Sequence, residues 1–464
     1  MKIKNECLFL SLIIILFLSL SSFFAGSPLW WDSAVYISMG KYIFSLGNIG
    51  LWEPARPLFL PFVLGMIWRS GSDIIIFGKV IALASSAASI VVLYLIARKI
   101  ADKRSALIFS LLFSISLPIV VYGSKLMTDI PSMLFSVLSL YFIIRKENYP
   151  ISGLFLGLAV LTKFTHLIFV AIILIFIIIR KASIIRRASR FLLGLSIAIV
   201  PFLIFNLIAY KNPLHTFIQA NILISSVAGN YTCPSSALFY LKDILLAAPA
   251  ILLFALFSLR DPETKIKLIL LSLVVPFAYL SLAVNCKDIR YSFLFLPCFY
   301  ILAAKGYSNL KKKRNMKALL LILVIAQILL SFSVVAYGYQ KLQNNLHPYH
   351  EEFYSYLSEK EIKGHVWSST PFVAAYNDVK IDEKVYYPVF DSRKIRYLGQ
   401  NLDSDVQYIL INSCDIPCII DDKDKSCPMD KKNLLEKIRQ RYDILYKKAV
   451  DNCTLTIYSW NKTR

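Results

Sequence analysis

Apolar residues fall in long runs separated by short polar stretches. The runs are Leu8–Ala25, Ile74–Ile96, Ala106–Val121, Leu134–Ile144, Gly153–Leu161, Leu167–Ile179, Phe191–Ala209, Ile244–Leu259, Ile266–Val284, Ser292–Ala304 and Ala318–Ala336. A helix needs about 20 apolar residues to cross a bilayer core of roughly 30 Å. The pattern predicts eleven membrane-spanning helices, the shorter runs extending into their polar flanks. Lys2 and Lys4 before the first run and the small residues Ala25–Ser27 after it also have the layout of a cleavable signal peptide, but the polytopic remainder favours a retained helix. Pro57–Trp68 is apolar as well. It is short, broken by Pro57 and Pro61, and would reverse every later loop if it crossed, so it is predicted to lie in the outer interface.

Basic residues decide the orientation. With the N-terminus inside, the cytoplasmic segments are Met1–Glu6, Ala97–Ser105, Arg145–Ile151, Arg180–Arg190, Arg260–Lys267 and Lys305–Lys317, holding 2, 4, 2, 5, 3 and 6 Lys or Arg. That asymmetry follows the positive-inside rule. Trp30, Trp31 and Trp68 suit the aromatic belt at the outer interface. Eleven spans put the C-terminus outside. The expected architecture is an α-helical polytopic membrane module over residues 1–338, with interfacial helices in the first external loop (26–73), followed by an extracytoplasmic α/β domain over 339–464. In that tail Val385–Val389, Val406–Ile411 and Thr454–Trp460 read as strands and Leu434–Tyr446 as a helix.

Composition agrees. Of 464 residues 57% are hydrophobic and 17% charged, and mean hydropathy is +0.60. A soluble domain is less apolar and carries about 25% charged residues, so a soluble enzyme and a disordered chain are excluded. The net charge of +22 sits in the loop clusters, which suit an anionic leaflet rather than nucleic acid. Cys414, Cys418, Cys427 and Cys453 lie in the tail, where an even number of cysteines suggests disulfides, with three pairings open. Their spacing is poor for zinc, although a zinc site is the alternative. Cys233 and Cys286, in separate external loops, form a further candidate pair, while Cys7 and Cys298 read as apolar helix residues. The sequons at Asn230, Asn452 and Asn461 all fall outside in this topology.

Polar residues near the spans collect at their outer ends, in five clusters. Trp31-Asp32-Ser33-Ala34-Val35-Tyr36 places a carboxylate among aromatics, suited to general base work or to capping a helix. Trp52-Glu53-Pro54-Ala55-Arg56-Pro57 presents a guanidinium that matches phosphate or snorkels to headgroups. Tyr122 to Pro131 carries Lys125 and Asp129, the latter also a helix-cap candidate. Gly157 to His166 ends with Lys163 outside, against the charge trend; His166 reads as a packing residue. Asp288-Ile289-Arg290-Tyr291 is the fifth. His347 and His350 form a His-Pro-Tyr-His pair at the start of the tail, for which a metal role is the minor alternative. Two carboxylates and four cations beside an apolar bundle suit a substrate with a lipid tail and an anionic phosphate.

These motifs, in this order, resemble a family. Asp32 and Tyr36 after the first helix, Arg56-Pro57 before an interfacial helix, Met127-Thr128-Asp129 with Pro131, Gly157 to Lys163, and Arg290-Tyr291 with Pro297 are similar to the GT-C membrane glycosyltransferases. The nearest branch is the dolichyl-phosphate-mannose protein mannosyltransferases and aminoarabinose lipid A transferases, over about Trp30 to Tyr307. The resemblance implies the GT-C fold and a reaction on the extracytoplasmic face with a polyprenyl (dolichyl) phosphate-linked sugar donor. It implies Asp32 as catalytic base, Arg56 near the donor phosphate, and Asp129, Lys163 and Arg290 as the second carboxylate and further cations. Many members carry an acidic residue where this chain has Ser33. Lys125 joins the phosphate-binding candidates, and Tyr36 and Tyr291 the remaining site candidates. Assistance by a divalent metal stays open, with no firm ligand set in the sequence. The expected activity is inverting transfer of a sugar to a hydroxyl of a protein, lipid or lipid-linked glycan at the cell membrane. The alternatives are a lipid-linked sugar flippase or transporter and a non-catalytic glycan-assembly subunit.

Overall fold

The structure, a computed structural model, describes residues 3–230, 234–259, 263–311, 316–345, 356–360, 362–384, 392–402, 406–413, 426–450 and 453–460. Each apolar run lies on helix. The elements are α1 (Ile3–Ala25), α2 (Trp31–Phe44), α3 (Phe59–Arg69), α4 (Ile74–Ile100), α5 (Lys103–Ser114), α6 (Leu117–Tyr122), α7 (Asp129–Lys146), α8 (Tyr149–Thr162), α9 (Ile168–Ile179), α10 (Ile184–Tyr210), α11 (His215–Asn230), α12 (Phe239–Ala247), α13 (Pro249–Ser258), α14 (Thr264–Leu282), α15 (Leu296–Lys311) and α16 (Lys317–Asn345). Short 3-10 turns, Phe164–Leu167 and Ile289–Leu294, precede α9 and α15.

Among the described residues, α1, α4, α10, α14 and α16 are long and apolar enough to cross a membrane, and α12 with α13, bent by 106° at their junction, makes a sixth candidate. The chain is an integral multi-pass membrane protein. The other expected spans are shorter or interrupted helices. Ala106–Val121 splits into α5 and α6, with Pro118 in the first turn of α6. α7 has 18 residues but carries Asp129, Arg145 and Lys146 at its ends, and α8, α9 and α15 have 14, 12 and 16. The segment after α1 forms α2 and the short α3, which takes the place of the expected interfacial segment. Asp73 and Asp102 cap α4 and α5, each accepting two backbone N–H bonds. α8 and α10 meet backbone to backbone: a Cβ on Gly153 would lie 2.0 Å from the Phe191 carbonyl oxygen and one on Gly194 1.9 Å from that of Pro150. Small residues permit such approach between membrane helices.

Ion pairs sort the loops into two sets. Glu6 bonds Arg98 at 3.0 Å and Lys103 at 2.7 Å, and Asp102 with Lys311, Glu147 with Arg180 and Glu263 with Lys305 join the same end of the bundle. Asp32, Arg56, Asp129, Lys163 and Arg290 meet at the other.

Among the described residues the C-terminal domain is built on a five-stranded sheet in the order β2-β1-β3-β5-β4, from β1 (Gly364–Ser368), β2 (Val379–Lys384), β3 (Tyr408–Asn412), β4 (Tyr442–Val450) and β5 (Cys453–Trp460). β1 runs parallel to β2 and β3, and β5 antiparallel to β3 and β4. Helices α17 (Phe372–Tyr376), α18 (Ser392–Gln400) and α19 (Cys427–Arg441) connect the strands. The expected strands at 406–411 and 454–460 correspond to β3 and β5. The helix expected to reach Tyr446 ends at Arg441, because Tyr442 turns into the core, bonds the Val406 carbonyl oxygen and opens β4 against β5. β1 and β2 are strands that the hydrophobic pattern did not single out; Val385–Val389 lies outside the described residues. Cys286, Cys427 and Cys453 are disulfide-bonded and Cys7 and Cys298 are free thiols. Cys233, Cys414, Cys418, His347, His350, Asn452 and Asn461 lie outside the described residues.

Candidate active site

α2 begins at Trp31 after an extended Trp30, and no side chain caps its first turn. Asp32 therefore does not serve as a cap. Its carboxylate faces out of the helix into two guanidinium groups: Arg56 Nη2 lies 2.9 Å from Oδ1 and Arg290 Nη1 2.8 Å from Oδ2. Arg56 comes from the loop between α2 and α3, and Arg290 from the 3-10 turn before α15. Each arginine has a second carboxylate. Arg56 Nε bonds Glu53 at 2.8 Å, and Arg290 Nε lies 3.0 Å from Asp288, whose side chain also accepts the Arg290 backbone N–H. Arg56 is largely buried and paired with two carboxylates, so it does not snorkel.

Burial alone would raise the Asp32 carboxyl, but the charges of Arg56 and Arg290 outweigh it and hold the group far below the usual carboxylate range. Lys163 contributes in the same direction. Lys163 itself pairs with Asp129, a 2%-exposed carboxylate at the start of α7. Asp129 makes no cap contact either. The Tyr291 ring lies beneath both Lys163 Nζ (5.0 Å) and the Arg290 guanidinium (5.7 Å). Tyr36, one turn after Asp32, lies under Arg56 at 5.8 Å and reaches Thr128 through its hydroxyl. Burial pushes the Tyr36 phenol up to about 12, so it stays a neutral donor.

Asp32, Tyr36, Arg56, Asp129, Lys163, Arg290 and Tyr291 thus gather at one mouth. Lys125 does not join them. Its ammonium bonds Ser27 Oγ at 3.1 Å and sits 4.3 Å over the Trp30 ring. Burial and Lys79 lower it to about 8. Trp30 packs on Tyr122, and Tyr122 on Phe293. His166 is buried against Ser136, a packing role as expected. The reading of two carboxylates and four cations becomes three cations with four carboxylates, since Glu53 and Asp288 complete the arginine pairs. Both stood inside the motifs but carried no assigned role; their spacing of three and two residues from an arginine was the available signal. Among the described residues no three His, Cys, Asp or Glu side chains gather as a metal site. With Asp32 held by arginines and Asp129 by lysine, these residues do not fit a divalent ion.

An apolar cavity of about 470 Å³ opens at the far end of α2 from Asp32, lined by Tyr42, Phe62, Phe205 and Tyr210 together with Trp52 and Leu58 from the loop that carries Arg56. Trp52 Nε1 bonds the Tyr210 hydroxyl at 2.7 Å and ties the first loop to the end of α10.

Residues 56–206 match the family model for dolichyl-phosphate-mannose-protein mannosyltransferase. ArnT from Cupriavidus metallidurans bound to undecaprenyl phosphate superposes with a TM-score of 0.62 at 14% identity, over 98% of both chains. The Archaeoglobus fulgidus oligosaccharyltransferase tethered to an acceptor peptide gives 0.59 at 12% identity, over 100% of this chain and 74% of its own. The mycobacterial arabinofuranosyltransferase AftD gives 0.53 at 12%, over 99% of this chain and 42% of its own. The chain has the GT-C fold. A sequence search of curated proteins returns no match. The GT-C resemblance carried by the five motifs is thus met by the three-dimensional structure over nearly the whole chain.

Proposed function

We propose that this GT-C protein is an inverting glycosyltransferase that moves a sugar from a polyprenyl-phosphate donor to an acceptor hydroxyl on the extracytoplasmic face. The observation that carries the reading is the Asp32 carboxylate held between Arg56 and Arg290 at 2.9 and 2.8 Å. This pairs a base with the cations that a phosphate leaving group needs. Structural neighbours bound to a carrier lipid phosphate support the substrate class: ArnT was solved with undecaprenyl phosphate, and the archaeal oligosaccharyltransferase AglB with dolichol-phosphate. The 470 Å³ apolar cavity, bordered by Trp52 and Leu58 of the loop that carries Arg56, offers room for part of an isoprenoid chain.

In the free protein every cation at the mouth already has a carboxylate. An arriving phosphate competes for Arg56 and Arg290, which retain Glu53 and Asp288 as their other partners. Turning the two guanidinium groups toward phosphate loosens their hold on Asp32 and raises its proton affinity. The acceptor oxygen then attacks the anomeric carbon and its proton passes to Asp32, while the bond from that carbon to the phosphate oxygen breaks. The polyprenyl phosphate leaves with the bonding electrons, and Arg56 and Arg290 stabilise its added charge, with Lys163 behind them. The stereochemistry inverts because one displacement occurs.

The test is transfer from a radiolabelled polyprenyl-phosphate sugar in liposomes containing the purified protein, with glycolipid and glycoprotein mass spectrometry of cells with and without the gene to name the acceptor. Labelled product that appears with wild-type protein and not with Asp32→Asn supports the reading. Movement of labelled donor between leaflets with no new glycosidic product would overturn it in favour of a flippase, and no change in either assay in favour of an assembly subunit.

A further inference from the structure

The helix that carries Asp32 is anchored from outside the membrane module. Nine residues on, at the other end of α2, Lys41 is buried at 3% exposure. Its ammonium has three partners, all from one short stretch of the C-terminal domain. It donates to the carbonyl oxygens of Ala375 at 3.1 Å and Asn377 at 3.3 Å, and pairs with Asp378 at 3.0 Å. Those carbonyls end α17, where a cation is favoured by the unsatisfied C=O groups. An ammonium has three N–H donors, so the contact is complete.

Three further contacts follow the same seam. Ser38 Oγ donates to the Pro371 carbonyl oxygen, and Trp68 Nε1 of α3 to Asp378. The Trp31 ring, next to Asp32, meets Phe372 edge-on at 6.1 Å. Beyond the end of α2, Gly50 adds itself to the outer edge of the sheet: its N–H bonds the Val379 carbonyl oxygen at 2.7 Å and its carbonyl accepts from Ile381 at 2.9 Å. Gly50 has φ +94°, and a Cβ there would lie 2.1 Å from the Ser38 carbonyl oxygen, so only glycine fits between helix and strand. Ala34, Val35, Ile37 and Met39 share one buried apolar cluster with Val366, Phe372 and Val373.

We infer that Lys41 is a positioning residue for Asp32, locking α2 to the C-terminal domain so that this domain becomes a working part of the catalytic centre. The inference rests on the reading of Asp32 as base. An α-helix rises 1.5 Å per residue, so Lys41 lies about 14 Å along α2 from Asp32. A helix of that length transmits a rotation or slide at one end to the other. Asp32 must stand where both guanidinium groups and the acceptor hydroxyl can reach it, and a misplacement near 1 Å far from the chemistry costs up to about 100-fold. Neither end of α2 continues into a membrane-spanning helix; its far end is held between α3, where Gly40 and Gly65 meet backbone to backbone, and the seam with the domain, which Trp68 of α3 joins through Asp378.

The experiment uses full-length protein in liposomes. Lys41→Met removes the charge but keeps the apolar stem. Turnover is expected to fall about 10- to 100-fold with donor KM nearly unchanged, because Arg56 and Arg290 do not ride on α2. Hydrogen exchange at the peptides containing Gly50 and Ile381 should speed up in the same variant. Turnover at the wild-type level, or a loss with exchange unchanged, would overturn the proposal. Asp378 is half-exposed, so Asp378→Ala does not threaten folding and carries the test if Lys41→Met fails to fold; it should show the same split with a smaller loss, and wild-type turnover with wild-type exchange there overturns the proposal equally. Asp32→Asn measured alongside separates the two readings: activity in that variant removes the base assignment, while the exchange result reports the seam whatever the base.

Discussion

Arg290 lies 258 residues after Asp32 and donates to its Oδ2 at 2.8 Å, so the proposed base of the free protein is occupied by a proposed donor ligand. A carboxylate so held accepts no further proton at useful pH. Asp32→Asn keeps the size of the side chain and leaves Arg56 with Glu53 and Arg290 with Asp288. It should therefore fold and bind donor, yet lose at least about 100-fold in transfer, as expected for a missing general base. Single-turnover transfer in liposomes measures it; near wild-type turnover would move the assignment to Asp129.

The same geometry predicts a pH signature. The folded value of Asp32 lies below its unfolded value, so the stability its clamp contributes is complete above the ordinary carboxyl range and is lost only as pH falls through the folded value. Free enzyme thus keeps Asp32 ionised under all mild conditions. Once donor phosphate draws the arginines away, the value rises. The acid limb of kcat, which reports the loaded enzyme, should stand at least about one pH unit above that of kcat/KM for donor, which reports the free enzyme. Coincident limbs would show that phosphate does not loosen the clamp.

Much of this was legible in the chain. The hydrophobic runs located the helices because lipid-facing segments must be apolar along their whole length. Five motifs named most of the mouth, since a charge at the outer edge of an apolar helix is costly unless it has work. Lys125 shows where that reasoning stops. By sequence it sits four residues from Asp129 and looks like its companion, yet its side chain runs to Ser27 and Trp30 of the first loop instead. Direction at a turn is set by packing, which spacing does not encode. The seam through Lys41 and Gly50 was equally hidden, because it joins residues more than 300 positions apart. The strand β4 was lost to helix because Tyr442–Tyr446 continues an amphipathic pattern until its pairing with β5 is known.

Asp129 and Lys163 make a different prediction. Asp129 is 2% exposed and Lys163 partly buried, and they pair with each other. Removing one partner of a buried pair leaves the other charge uncompensated, at a cost of about 3–5 kcal/mol, whereas replacing both by apolar residues is often neutral. Asp129→Ala and Lys163→Met should each lower thermal stability in detergent well below that of the double variant. Equal losses that simply add would mean that the two charges do not depend on one another in the folded protein.

Lys125 separates the seven-residue mouth from the wider set of cations that the sequence offered. If any outer-face cation serves the donor phosphate, Lys125→Ala should weaken donor binding as Arg56→Ala does. The structure argues otherwise. Asp32 feels Arg56, Arg290 and Lys163, while the charge acting on Lys125 is Lys79, which itself bonds the Ala25 carbonyl oxygen at 2.7 Å. Both lysines serve the C-terminal end of α1, whose free carbonyls favour cations. Arg56→Ala should raise donor KM and lower kcat together, since that guanidinium meets phosphate in ground and transition states alike. Lys125→Ala should leave both within about threefold of wild type, a change of less than about 0.7 kcal/mol, and show its effect in thermal stability instead, through the lost contacts to Ser27 and Trp30. Donor titration of the two variants in liposomes decides the matter, and a donor KM in Lys125→Ala raised as far as in Arg56→Ala would return Lys125 to the phosphate site.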